Sequence, residues 1–161
     1  MREYLNGTPD TANIFGSIFD GCNKTRGRFK YRNKLNGRKE STHDKQPIDI
    51  LSHLRGEVIQ GRSPVRDGKC KWGAIDIDKK IPESDFCSKL WIYDRSLIPF
   101  KSLSGNWHVY KFYNNWTDVQ EVKKDMKKIE KDLIGKGYPV DKSHTLPTGW
   151  SDNGSGSWMF L

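Results

Sequence analysis

GAIDIDKKIPESDFCSKLWIYDRSLIPFKSLSGNWHVYKFYNNWTDVQEVKKDMKKIEKDLIGKGYPVDK, residues 73–142, carries the pattern that decides the fold. Apolar and acidic side chains alternate over residues 73–78, the period of a strand with two unlike faces. Residues 84–94 read as a helix capped by Ser84, with Phe86, Leu90 and Trp91 or Tyr93 turned inward. Residues 96–101 return as a strand, Ser104-Gly105 turns the chain, and aromatic-rich residues 107–113 form another strand. Thr117 and Gln120 match a capping box. Val119, Val122, Met126, Ile129 and Leu133 then recur at helical spacing until Gly135 stops the helix. Residues 138–142 make the last strand. The order is strand, helix, strand, strand, helix, strand, a split βαβ arrangement.

That arrangement predicts an α+β domain of ferredoxin-like type with its first and third strands side by side at the sheet centre. Asp76 and Asp78 would then lie beside His108. Upstream, Asp67-Gly68 predicts a tight hairpin between a strand over residues 58–65 and one beginning at Cys70. Residues 47–55 suit a short helix stopped by Gly56, and residues 35–46 read as a polar loop. In KTRGRFKYRNK, residues 24–34, a Lys or Arg falls at every second position. An extended chain would put Arg26, Arg28, Lys30 and Arg32 on one face and Phe29 and Tyr31 on the other. Residues 1–23 are spotted with Gly, Asn and Asp, with Phe15, Ile18 and Phe19 as apolar anchors. The chain therefore divides into an N-terminal α/β segment, 1–46, carrying the basic strand, and a core, 47–161. Its apolar ending, Trp158-Met159-Phe160-Leu161, is expected of a core truncated at its C-terminus.

Asp76 and Asp78, two apart on a strand, share a face while Ile75 and Ile77 anchor the other. Two such carboxylates can hold hard cations, which take oxygen ligands from a few carboxylates, phosphates and water. The same spacing also fits a solvated polar face. Ser104-Gly105 can offer backbone N–H groups to a phosphate, and His108, opening the strand beside the aspartates, can contact a triphosphate. A lone His is equally an ordinary half-buried residue. Lys111 falls on the opposite face of an unbroken strand. Asp141 ends the last strand and can add a third carboxylate. GWSDNGSGSW, residues 149–158, can cradle a phosphate, though its composition is first that of a flexible loop. The lysines of the 117–134 helix, Lys123, Lys124, Lys127, Lys128 and Lys131, read as a solvated face paired with Glu121, Asp125 and Glu130.

Composition narrows the partners. A net charge of +8 and pI near 9.4 favour polyanions. Cys22, Cys70 and Cys87 are isolated, without zinc spacing, and point to a reducing, cytoplasmic setting. No window approaches a membrane span, so no membrane partner is expected.

The three motifs, in this order, resemble the archaeo-eukaryotic primase superfamily, above all the primase-polymerase domains of phages and mobile elements. Ile75-Asp76-Ile77-Asp78 matches its acid-x-acid strand, Ser104-Gly105-Asn106-Trp107-His108 its small residue shortly before a strand His, and Val140-Asp141 its apolar–Asp pair. Residues 53–78 look like the lead-in of phage members, and the ending from Asp141 through Trp158 is similar as well. Asn106-Trp107 depart from the smaller residues frequent there. The resemblance spans roughly residues 47–161 and implies a palm domain, RRM-like in its sheet, for DNA replication. It implies that Asp76, Asp78 and Asp141 bind Mg²⁺ or Mn²⁺. Ser104, Gly105 and His108 would hold the phosphates of a nucleoside triphosphate, with Lys101 and Lys111 as helpers. A 3′-hydroxyl would be joined to the α-phosphate on a single-stranded DNA template. A helicase domain or protein outside this chain is an implied partner, and the cytoplasm would be the host's if the chain is phage-encoded. The basic strand at Arg26, Arg28, Lys30 and Arg32 can track the template, or simply protect an edge. A non-catalytic single-strand binder and a metal-dependent nuclease are the competing readings.

Overall fold

The sheet that carries the acidic motif is built around one strand, residues 69–77. A computed structural model describes residues 7–30, 40–102, 104–148 and 159–160. In chain order these form α1 (Pro9–Ile18), β1 (Arg26–Lys30), β2 (Glu40–Asp44), α2 (Ile50–Leu54), β3 (Gln60–Arg62), β4 (Val65–Arg66) and β5 (Lys69–Ile77). There follow α3 (Glu83–Tyr93), β6 (Leu97–Lys101), β7 (Trp107–Asp118), α4 (Val119–Gly135), β8 (Val140–Leu146) and β9 (Met159–Phe160). The fold is α+β, as the element order predicts.

β5 pairs antiparallel with β7 on one side and β8 on the other, and β6 flanks β7. α3 carries the chain from β5 to β6 past β7, and α4 carries it from β7 to β8 past β5. The β4–β5 hairpin turns at Asp67 and Gly68 with φ of 49° and 72°. Left-handed backbone at both central positions is what a two-residue hairpin requires. A second sheet runs β2-β1-β3-β9: β1 pairs antiparallel with β2 and with β3, and β3 pairs antiparallel with β9.

The two sheet faces are covered unequally. On one, Ile75, Ile77, Leu97, Trp107 and Val109 pack against Phe86 and Leu90 of α3 and against Val119, Val122, Met126, Ile129 and Leu133 of α4. Each fully buried side chain of this size stabilises by about 1.5–3 kcal/mol. α4 lies close here. A Cβ on Gly73 would stand 2.5 Å from Met126 Cγ and 3.0 Å from the Leu146 carbonyl oxygen. Gly73→Ala is expected to lower stability by about 1–3 kcal/mol, the usual cost of overpacking, read from its urea midpoint. On the other face Phe19, just past α1, packs on Trp72, Tyr110 and Phe112 with ring centroids 6.0, 5.3 and 5.3 Å away. Met159 and Leu146 complete this cluster. The Arg62 guanidinium locks the chain after α1 by donating to the Phe19, Gly21 and Cys22 carbonyls at 3.2, 3.3 and 3.0 Å.

Several expectations are corrected. Within the segment 1–23, to which the sequence pattern assigns no element, residues 9–18 form a helix, because Thr8 caps it and Pro9 opens it. Ile18 is no anchor; it is 46% exposed, and Phe19 takes that role. The loop expected over 35–46 contains β2, drawn into a strand by pairing with β1. The strand expected over 58–65 breaks into β3 and β4 at Ser63-Pro64, where Pro has no N–H to give. α2 starts at Ile50 rather than at Pro47, capped by Asp49, whose side chain accepts from Ser52 N–H. Ser84 does not cap α3; Pro82 precedes it without a side-chain cap, and Trp91 is 50% exposed while Tyr93 packs inward. Thr117 does not cap α4. β7 continues through it to pair with Cys70, and Asp118 caps instead, accepting from Gln120 N–H at 2.8 Å. The inward stripe of α4 is as predicted. Among the described residues no helix is long and apolar enough to cross a membrane.

Candidate metal and nucleotide site

Strand alternation turns Asp76 away from Ile75 and Ile77, onto the face without α3 and α4. There Asp76 is the direct cross-strand partner of His108 in β7 and of Asp141 in β8. The three sequence motifs therefore meet in one row across three neighbouring strands. His108 Nε2 lies 3.9 Å from Asp76 Oδ1. Among the described residues that oxygen is buried and accepts no hydrogen bond. Burial pushes the Asp76 carboxyl up to about 6; the His144 charge pulls it down, and Asp78 and Asp141 push it further up. Burial, and then the His144 charge, lower His108 to about 4, so its imidazole is neutral at pH 7.

β8 reaches the row through a bulge. Ile75 faces Thr145, yet the next residue, Asp76, faces Asp141, leaving residues 142–144 as an excursion. A bulge re-aims side chains. Here it brings His144 Nδ1 to 2.6 Å from Asp141 Oδ2. One donor atom each from Asp76, Asp141 and His144 lie within 4.8 Å of one another. His144 was not singled out from the sequence. The available signal was an Asp-x-x-His spacing inside the third motif, which means nothing on an unbroken strand.

Asp78 follows the last paired residue of β5 and is exposed at the rim. Its N–H donates to the Pro139 carbonyl at 3.0 Å, and its Oδ1 accepts from Asn106 Nδ2 at 2.7 Å. Asn106, a departure from the expected small residue, thus ties the β6–β7 turn to the acidic strand. Ser104 is exposed in that turn, its hydroxyl 2.9 Å from that of Ser102. Gly105 has φ of +85°, and its N–H donates to the Ser102 carbonyl. That N–H closes the turn instead of pointing at a phosphate, contrary to expectation. Lys80 lies against the turn, its Cε 3.4 Å from where a Gly105 Cβ would be.

The remaining candidates are elsewhere. Lys111 is on the helix side of the sheet, as β7 parity dictates, with Nζ 2.6 Å from Asp125 Oδ2. Lys101 shares that side, its Nζ 5.8 Å from the Trp107 ring centroid. Both therefore stand on the face opposite the row. Arg26 is spoken for: its guanidinium donates to the Pro47 carbonyl, Gln60 and Gln46 at 3.2, 3.1 and 3.0 Å. Arg28 is half exposed, 3.9 Å from Asp44. Lys30 belongs to β1, while Arg32 and the Gly/Ser stretch 149–158 lie outside the described residues.

A divalent cation fits this donor set. Asp76 has one buried oxygen without a hydrogen-bond partner among the described residues, and its carboxylate shares a cluster with that of Asp141 and the His144 imidazole. Neither a protein-family model nor a curated protein sequence matches the chain.

Proposed function

We propose that the chain is a template-directed nucleotidyltransferase of the primase-polymerase type, working with a divalent cation held by Asp76 and Asp141 and bracketed by Asp78. The observation that carries this reading is the row itself: Asp76 is in register with both His108 and Asp141. The reaction joins a primer or nucleotide 3′-hydroxyl to the α-phosphate of a nucleoside triphosphate, and pyrophosphate leaves. When bound, Mg²⁺ or Mn²⁺ supplies charge neutralisation for the phosphates and the developing alkoxide. The residues of the chain position the reactants. Neutral His108 donates one ring N–H to a phosphate oxygen. Asp76 and Asp141 set the depth at which the phosphates come to rest. Phe100, opposite His108 on β6 and 42% exposed, offers a ring face for the base. Arg28 and the wider basic surface are suited to the template backbone.

A purely binding sheet would expose aromatics on its central strands. Here the aromatics of β7 on this face lie beneath Phe19; Tyr110 is 1% exposed. The exposed end of the row is acidic, which disfavours a phosphate backbone unless a cation lies between.

Incubation with a single-stranded template, labelled nucleotides and Mn²⁺ tests the proposal. Extended product supports it, a shortened template means a nuclease, and an unchanged template with retained binding means a binding module. His108→Ala is expected to raise the apparent KM for nucleotide about tenfold or more, the worth of one hydrogen bond to a charged group. An unchanged KM removes His108 from the phosphate site.

A further inference from the structure

We infer that His144 is a nitrogen ligand of the cation held by Asp76 and Asp141, so that the site takes Mn²⁺ in preference to Mg²⁺. The inference rests on the cation site proposed above and adds a residue and an ion preference to it.

Geometry comes first. The nearest donor atoms of Asp76, Asp141 and His144 all lie within 4.8 Å of one another. Ligands about 2.1–2.3 Å from one ion can stand at most ~4.2–4.6 Å apart. The cluster is within a few tenths of an ångström of that limit. His144 can close the gap by rotation, because its side chain is 56% exposed and stands on a bulge. Residues 142–144 are the excess chain between the Ile75–Thr145 and Asp76–Asp141 pairs. Asp76 also carries a buried oxygen, Oδ1, that accepts no hydrogen bond among the described residues, so this carboxylate has acceptor capacity to spare.

Donor chemistry then selects the ion. Mg²⁺ demands oxygen ligands in near-ideal octahedral geometry and dehydrates reluctantly. An imidazole nitrogen suits first-row transition ions better than Mg²⁺, and Mn²⁺ is the ion of that row that also takes carboxylate and water ligands. Two carboxylates and one imidazole therefore favour Mn²⁺ where three carboxylates would not. His144 also bonds to Asp141, so the rival role is that it merely orients that carboxylate. The two roles separate by experiment. A nitrogen ligand discriminates between ions, whereas an orienting partner supports both alike.

The test uses the whole chain without nucleotide. Mn²⁺ and Mg²⁺ are titrated calorimetrically, and the Mn²⁺ complex is examined by electron spin-echo modulation for coupling to nitrogen. Wild type is expected to bind Mn²⁺ more tightly and to show imidazole nitrogen coupling. His144→Ala is expected to lose at least the roughly tenfold in Mn²⁺ affinity that even a supporting partner is worth. It should also lose the nitrogen coupling while keeping its Mg²⁺ affinity. Asp141→Asn should weaken both ions. If His144→Ala retains nitrogen coupling, or weakens both ions equally, the inference is overturned and the cation site stands. If wild type binds neither ion, the site itself is lost. Circular dichroism of both variants excludes unfolding as the cause of any loss.

Discussion

Asp76→Asn is expected to abolish nucleotide incorporation while leaving the metal-free protein at least as stable as wild type at pH 7. The two halves of this result have one cause. Asp76 holds a carboxylate in a half-buried row beside two other acids, with one oxygen unsatisfied. Burial raises its pKa from 3.8 to about 6. The folded chain therefore holds this proton more tightly than the unfolded chain does. The stability it contributes falls as pH climbs from about 4 to about 6, and above that the penalty is complete. An uncharged amide of the same shape escapes the penalty. The unfolding midpoint in EDTA should be equal or higher for the variant at pH 7, with the gain shrinking towards pH 4. Incorporation should fall by about a thousandfold or more, because a ligand worth several kcal/mol of charge stabilisation is gone. A variant that lost stability and kept activity would make Asp76 a structural residue.

The second large effect concerns Arg62, which is not in the row but tethers the segment that covers part of the same sheet face. Its side chain is 8% exposed and lies 3.1 Å from Asp20 as well as donating to three carbonyls. Arg62→Met removes the charge and leaves those carbonyls without their donor. Breaking a buried pair costs about 3–5 kcal/mol. Asp20 keeps Arg66, 3.2 Å away, and is partly solvated, so about 2–4 kcal/mol is expected here. For a chain of this size that is a fall in Tm of about 5–15 °C. The loosened segment carries Phe19, which covers Tyr110, and the Tyr110 ring is 6.3 Å from that of His108. Stability should fall well before incorporation does when both are measured below the new Tm. A loss under about 0.5 kcal/mol would mean that the Arg62 tether does not secure the covering segment.

The legible parts of the sequence were those governed by a single period. Val122, Met126, Ile129 and Leu133 announce an inward helical stripe because nothing else competes for that spacing, and all four are buried. Ile75 and Ile77 set the parity of β5, and with it the face of Asp76. Asp67-Gly68 names its turn because few residue pairs tolerate two left-handed positions. What was not legible depends on partners distant in the chain. β2 has no apolar alternation of its own and exists through pairing with β1. Thr117 has the chemistry of a cap, but Cys70 claims its backbone for the sheet. Lys111 is basic and close in sequence to His108, yet one step of parity sends it to Asp125. His144 enters the site only because three residues bulge out of β8, and no local pattern signals a bulge that answers to a neighbouring strand.

The central claim is that Asp76 and Asp141 hold a cation where a triphosphate meets His108. Crystals soaked with Mn²⁺ and a non-hydrolysable nucleoside triphosphate, measured at the manganese absorption edge, test it directly. The account predicts an anomalous peak within about 2.0–2.4 Å of oxygens from both carboxylates, with a phosphate oxygen on the same ion and another within hydrogen-bond reach of His108. Manganese and triphosphate bound together elsewhere on the molecule, with the row empty, would contradict it.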